Sequence, residues 1–229
     1  MNPAQKTARI AGALYLLSAA AEGIPLIYVP AVLIVNGNAA ATVRSILASE
    51  ATFRCCIVSE LVGAIVFLFL VRALYRLMSG VNKAYASLMV TLALISVPIT
   101  FLNALNETAA LTLMHGADFL SAFDQPQRYA LAMLFLGLHA DGANVANIFW
   151  GLWLFPFGVL VIRSRFIPRL LGVWLIADGF ALVAVSLTGL LLPPYLDIVN
   201  RVAIVPELGE LWMIAWLLIK GVRMAPASA

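Results

Sequence analysis

Charged residues are scarce in this chain: they make up 11% of its 229 residues, whereas hydrophobic residues make up 63%. Because a soluble domain is about a quarter charged, this composition excludes an ordinary soluble protein. The mean hydropathy of +1.01 is typical of an integral membrane protein. The net charge of +3 comes from basic residues that flank apolar segments, so we expect no nucleic-acid partner.

Cysteine and histidine are also scarce, with two of each. Cys55 and Cys56 are adjacent, which strains a disulfide and lacks the C-x-x-C spacing of a redox pair, so we interpret both as small apolar residues. His115 and His139 are too few for a zinc site of several imidazoles, and the chain has no H-E-x-x-H motif. It lacks the histidines that would ligate two haems.

The sequence also lacks a G-x-S-x-G elbow and a Gly-rich phosphate loop. We therefore expect no cofactor, assign no metal ligand and identify no catalytic residue. One alternative stays open, a mixed site made of His139, Glu107 and Asp141. Enzymatic activity is left undecided, although the missing motifs argue against it.

The chain does contain six apolar segments, each at least as long as the roughly 20 residues that cross a bilayer. They cover about residues 8–35, 55–77, 84–114, 129–162, 170–192 and 202–222. We predict an all-α polytopic membrane protein, a six-helix transmembrane bundle that forms a single domain over residues 1–229. The shorter apolar segment at 39–47 predicts an interfacial helix.

The basic residues are distributed unequally between the two sides of this bundle. With the N-terminus inside, ten of the fourteen lie on the cytoplasmic side, and no acidic residue accompanies them. Those ten are Lys6, Arg9, Arg72, Arg76, Lys83, Arg163, Arg165, Arg169, Lys220 and Arg223. The positive-inside rule therefore predicts that both termini are cytoplasmic.

The N-terminal segment has a second interpretation. Lys6 and Arg9, the apolar run at 10–20 and the alanines at 19–21 also resemble a cleavable signal peptide. The apolar stretch continues to Val35, which favours a retained first span. Whether residues 1–21 are retained stays open.

Seven of the eleven carboxylates lie inside the predicted spans. A charged carboxyl at the centre of a bilayer costs roughly 2.5–3.5 kcal/mol, so each one requires a partner, a proton or water. From the ~1.5 Å rise of a helix, Glu210 and Asp178 lie ~15 Å from the inner basic residues, and Glu107 and Asp141 lie more than ~30 Å away. If the acids face one another, they line a cavity that opens to the outside.

Polar neighbours accompany several of these acids at helical spacing. Asp141, Asn144, Asn147 and Gly151 share one face of the fourth span, although such a stripe also suits helix packing. An alternative role for Glu22 is a hydrogen bond to a backbone carbonyl that the ring of Pro25 leaves without its helical donor. The candidate ligand- or proton-binding residues are Glu210, Glu207, Glu60, Glu22, Asp178, Glu107, Asp141, Asn103, Asn144, Asn147 and His139.

Three stretches carry a resemblance to a known family: AGALYL at 11–16, LWLFPFGVLVIRS with FIPRLLG over 152–172, and GELWMIAWLLIKGV at 209–222. Together they resemble a bacterial family of six-span membrane proteins classed as domain of unknown function 4386. The resemblance implies an integral protein of the bacterial cytoplasmic membrane without an assigned activity or cofactor. Glu210 is the acidic position within the matching motif.

Three functions remain open at this point. The leading hypothesis is binding or transport of a small cationic or protonatable ligand in an outward-facing acidic cavity. The alternative is a structural or accessory membrane protein that associates with itself or with a partner subunit. A third hypothesis is an enzyme that modifies a lipid or quinone, with Glu210 or Asp141 as general base.

Overall fold

A computed structural model of the chain describes residues 2–222, and within this range it contains α-helices, short 3₁₀ and π-helices, and no strand. The eight α-helices of these residues are α1 (Pro3–Tyr28), α2 (Ala39–Ala48), α3 (Glu50–Met78), α4 (Lys83–His115), α5 (Gln125–Leu152), α6 (Leu154–Ser164), α7 (Arg169–Leu191) and α8 (Leu196–Ile219). The predicted all-α class is confirmed.

Six helical segments of the described chain are long and apolar enough to cross a membrane. They are Pro3–Leu33, Glu50–Met78, Lys83–His115, Gln125–Ser164, Arg169–Leu191 and Pro193–Ile219. Each overlaps one predicted span, so the protein is a multi-pass membrane protein with six candidate spans. Arg223, which entered the predicted orientation, lies outside the described residues.

Two of the spans depart from a single regular α-helix. The first continues from α1 into a π-helix at Val29–Leu33, where Pro30 removes a backbone donor. The fourth divides at Trp153 into α5 and α6, because Pro156 has no N–H to offer the carbonyl four residues earlier. The sequence predicted one helix in each case.

The described residues divide into two compact units. The first comprises residues 1–17, 66–97 and 144–229, of which 2–222 are described, and the second comprises residues 18–65 and 98–143. We call them unit 1 and unit 2.

Helix α2 belongs to unit 2 and forms at the predicted position. The Asn38 side chain caps it by accepting a hydrogen bond of 2.9 Å from the Ala41 amide. Val43 and Ile46 of α2 are fully buried in an apolar cluster that includes Leu33 and Phe53. This cluster forms the hydrophobic core of unit 2.

Glycine contacts hold α7 against α5 and α6 within unit 1. A Cβ atom at Gly158 would lie 2.6 Å from the carbonyl oxygen of Gly172, and one at Gly151 would lie 2.6 Å from that of Gly179. Small residues let membrane helices approach closely, and here both contacts involve the opposing backbone. Gly151 of the polar stripe therefore serves helix packing.

Aromatic rings form a second part of the core of unit 1. The fully buried Trp153 stacks on Phe157 at 5.4 Å between ring centroids and meets the edge of Phe67, also at 5.4 Å. Tyr15 completes the group at 6.0 Å from Trp153. The break between α5 and α6 is thus packed on several sides.

Candidate functional site

Three helices of unit 2 bring two glutamates and a histidine together. Glu60 lies on α3, Glu107 on α4 and His139 on α5. Nδ1 of His139 is 3.8 Å from Oε2 of Glu107, and its Nε2 is 3.9 Å from Oε2 of Glu60. We call these three residues the histidine cluster.

The glutamates of the histidine cluster are buried, His139 is partly buried, and the polar atoms of the cluster are incompletely bonded. Glu60 is 7% exposed and Glu107 only 1%. Among residues 2–222, neither Oε2 of Glu107 nor Nδ1 of His139 has a hydrogen-bond partner. Buried polar atoms in folded proteins are nearly always bonded, so these two atoms are exceptions that need an explanation.

Two asparagines of α4 position His139. Nδ2 of Asn103 donates a 2.9 Å hydrogen bond to the His139 carbonyl, and Asn106 donates to Oδ1 of Asn103 at 3.1 Å. A Cβ atom at Gly142 would collide with the Asn103 amide, so the glycine makes room for this contact. Asn103, which was predicted as a ligand candidate, therefore binds the α5 backbone, and Asn106 binds the Asn103 side chain.

Glu22 extends the acidic surroundings of Glu60. Ser18 donates to Oε1 of Glu22 at 3.1 Å and approaches the carbonyl of Gly63 at 3.2 Å. Glu22 also acts electrostatically on Glu60, so unit 2 holds a third carboxylate near the histidine cluster.

The carbonyl that Pro25 deprives of its helical donor is that of Ala21. It accepts a 2.8 Å hydrogen bond from the Ser59 hydroxyl of α3. Ser59 is therefore a donor to the carbonyl that the proline leaves free. A carboxylate cannot donate unless it is protonated, whereas a hydroxyl can.

A second group of acids lies in unit 1. Asp178 of α7 is fully buried, and neither of its carboxyl oxygens has a hydrogen-bond partner within the described chain. The charges of Glu210 and Glu207 act on it, and Glu210 also acts on the buried hydroxyl of Tyr15. We call Tyr15, Asp178, Glu207 and Glu210 the aspartate cluster.

The two glutamates of α8 differ in exposure. Glu207 is exposed and Glu210 is half-buried, so their spacing of three residues does not place them equally toward the interior.

On the fourth span, Asp141 is exposed, and Asn144 donates a 3.3 Å hydrogen bond to the Ser186 carbonyl. Asn147 is half-buried. In unit 2, His139 and Glu107 are joined by Glu60 rather than by Asp141.

Tyr15 was not predicted from the sequence as a member of a polar cluster. The available signal was its position in the middle of an apolar span, because a buried tyrosine hydroxyl usually needs a polar neighbour. A groove of about 380 Å³ between α3 and α4 in unit 1 was not predicted either. Arg72, Tyr75, Ser87 and Thr91 supply its polar wall.

Comparison with known proteins agrees with this architecture only at the level of the family. No curated protein and no solved structure matches the chain. A family model described as Domain of unknown function (DUF4386) matches residues 10–221, which is nearly the whole chain. With its six apolar helices and this match, the chain belongs to that family of membrane proteins.

Proposed function

We propose that this protein binds a small cationic or protonatable ligand at carboxylates within its membrane-spanning helices, and that it transports that ligand. The main support for this proposal is the histidine cluster, in which side chains from α3, α4 and α5 converge around a buried, unbonded carboxylate oxygen. We place the protein in the bacterial cytoplasmic membrane.

The charges of unit 2 support this proposal. Two carboxylates of the cluster face one neutral or singly charged imidazole, and Glu22 adds a further negative charge nearby. Two of the three arginines of the same unit are engaged elsewhere, since Arg54 pairs with Glu50 at 2.7 Å and Arg128 donates to the Phe123 carbonyl at 2.9 Å. A bound cation would offset the penalty of burying these acids.

The aspartate cluster supports the same class of function independently. Asp178 is buried with both carboxyl oxygens unbonded among residues 2–222, and other acidic charges act on it. A carboxylate in this state requires a proton or a cation. The two clusters supply protonatable groups of the kind that ion-coupled carriers use.

The orientation is part of the proposal. The excess of lysine and arginine in the connections assigned to the inside favours cytoplasmic N- and C-termini. Fusions of a reporter that is active only in the cytoplasm should be active at both ends of the chain. An active fusion at one end alone would contradict six spans in this orientation.

The binding function is tested by thermal melting of the purified full chain with a panel of monovalent cations, amines and divalent cations. At least one of them should raise the melting temperature of the wild type and leave Glu107→Gln unchanged. Asp141→Asn is the matched control, because it removes an exposed carboxylate two residues from His139. If the panel changes the melting temperatures of the wild type and Glu107→Gln equally, or changes neither, a site at Glu107 is refuted.

Transport is a separate step and is tested in proteoliposomes. A cation that stabilises the wild type in the melting panel should enter wild-type vesicles faster than Glu107→Gln vesicles. Equal uptake by the two proteins would limit the function to binding.

One observation favours the second candidate function, an accessory protein with a membrane partner or a second copy. Glu207 is exposed on α8 among the exposed apolar side chains of Ile204, Leu208 and Leu211. A carboxylate facing lipid is costly, whereas one at a helix interface can find a partner. Native mass spectrometry in mild detergent should then show a complex that Glu207→Leu disrupts. A wild-type monomer would contradict this role.

A further inference from the structure

We propose, resting on the cation site proposed above, that the histidine cluster is a site for a divalent transition-metal ion, with Glu60, Glu107 and His139 as its protein ligands. The observation is geometric: each residue offers one ligand atom, and the three atoms lie within 4.8 Å of one another. They come from three different helices, so binding would join α3, α4 and α5 of unit 2.

The spacing of the donor atoms fits an ion after a small contraction. Nitrogen and oxygen ligands lie about 2.0–2.2 Å from a Zn²⁺ ion, so two ligands of a tetrahedral site are ~3.4 Å apart. The 3.8 Å contact to Glu107 involves Nδ1 of His139 and the 3.9 Å contact to Glu60 involves Nε2, so the relevant spacing for one ion is that of one nitrogen and two oxygens, which lie within 4.8 Å of one another. A tetrahedral site then needs a contraction of at most about 1.4 Å, which rotation of the three side chains would supply.

The same distances argue against a purely structural ion pair. A charged imidazole that bonds a carboxylate does so at about 2.7–2.9 Å, a full ångström shorter than either contact. Buried in unit 2, Oε2 of Glu107 and Nδ1 of His139 lack a hydrogen-bond partner within residues 2–222. Two opposed polar atoms that are too far apart to bond leave room for an ion between them.

The donor set selects the class of metal. Two carboxylates and one imidazole suit first-row ions such as Zn²⁺, Co²⁺ and Mn²⁺, whereas Mg²⁺ and Ca²⁺ prefer all-oxygen sites. A divalent ion would also neutralise the two carboxylate charges. Three protein ligands leave one or more positions for water or for a further ligand.

The surroundings of the cluster provide the support that such a site needs. Because His139 can give an ion only one ring nitrogen, one of the two carboxylates has to move toward the nitrogen that the other carboxylate already faces. Asn103 holds the His139 backbone through its 2.9 Å hydrogen bond. Asn103 is a positioning residue, and we expect Asn103→Ala to weaken metal affinity by ~10-fold without abolishing it.

The test uses the full chain purified in detergent, stripped with a chelator and titrated at one fixed pH. Calorimetry with Zn²⁺ and the visible absorption of bound Co²⁺ measure the affinity and the coordination number. The wild type should bind one ion per chain through nitrogen and oxygen ligands, with Mg²⁺ and Ca²⁺ unable to compete. Glu107→Gln and His139→Gln should each weaken binding by more than ~100-fold.

Matched variants keep the test specific. Asp141→Asn and His115→Gln change an exposed acid and the other histidine, and both should bind as the wild type does. The effect of Asn103→Ala is measured in the visible spectrum of bound Co²⁺. A purely structural role of Asn103 would leave that spectrum unchanged. Melting curves of the metal-free proteins show whether a variant folds. If Glu107→Gln does not fold, metal binding is compared between the wild type and the His139→Gln and Glu60→Gln variants instead.

The outcomes separate this inference from the function on which it rests. The metal site is overturned if the wild type binds neither Zn²⁺ nor Co²⁺. It is also overturned if the Glu107→Gln and His139→Gln variants bind these ions with unchanged affinity. If an amine or a monovalent cation then still stabilises the wild type but not Glu107→Gln, the proposed cation site stands with another ligand. If none of these ligands distinguishes the two proteins, both proposals fail.

Discussion

The contact between Gly158 of α6 and Gly172 of α7 allows a quantitative prediction about helix packing. A Cβ atom at Gly158 would lie 2.6 Å from the Gly172 carbonyl oxygen and 2.6 Å from Cγ1 of Ile176. Because one of these neighbours is backbone, the helices themselves must shift. Overpacking of this kind costs about 1–3 kcal/mol.

Helix propensity opposes this steric cost, so the control has to separate the two. Replacing glycine by alanine inside a helix gains up to ~1 kcal/mol. Gly137 of α5 is an exposed helical glycine whose added Cβ would meet nothing within 4 Å. Gly137→Ala therefore measures propensity alone, and Gly158→Ala measures propensity together with the clash.

The assay is thermal unfolding of the two variants beside the wild type. For a chain of this size, 1 kcal/mol corresponds to roughly 2–4 °C. We expect Gly158→Ala to melt between ~2 and ~12 °C below Gly137→Ala. Equal melting temperatures, or a higher one for Gly158→Ala, would refute the close packing of α6 on α7.

Two further predictions concern single interactions of described side chains. Ser59→Ala should destabilise the protein by about 1 kcal/mol, because it removes the donor to the Ala21 carbonyl; in a Pro25→Ala background, where the helical donor returns, thermal melting should show a smaller loss. The Arg163 guanidinium lies 5.0 Å from the centroid of the Tyr85 ring, so Tyr85→Leu should lose about 0.5–1 kcal/mol relative to Tyr85→Phe in the same assay. An equal loss in both backgrounds, or no difference between the two Tyr85 variants, would contradict these contacts.

The fold was predictable because membrane insertion depends on features that are local in sequence. Six apolar runs of sufficient length predicted six helical segments, and the structure contains each of them. The division at Trp153 was not predicted as a break. Pro156 supplied a signal for it, but a membrane helix often tolerates proline, so the sequence alone does not decide between a bend and a break.

The candidate site was predictable only as a set of residue types. The cost of burying charge identified Glu60, Glu107 and Asp178 as residues that need a partner. Which of them meet depends on how each helix is rotated about its axis, and packing sets that rotation. Glu207 and Glu210, for example, are only three residues apart on α8, yet Glu207 is exposed and Glu210 is partly buried.

His139 illustrates the same limit. Its sequence neighbour Asp141 is exposed, and the partners that the helices bring to it, Glu60 and Glu107, are distant in sequence. No local motif encodes a site whose three residues come from three helices. The signal that existed was the presence of a histidine inside an apolar span.

The most direct test of the central claim compares wild type with Glu107→Gln in the absence and presence of a stabilising cation. Without the cation, the Glu107→Gln variant should melt at the same temperature as the wild type or higher, because its amide replaces a buried and unbonded carboxylate oxygen. With the cation, the wild type should become the more stable protein, since ligand binding adds to the stability of the form that binds. A Glu107→Gln variant that is less stable than the wild type by the same amount under both conditions would contradict the account, because Glu107 would then be a structural residue.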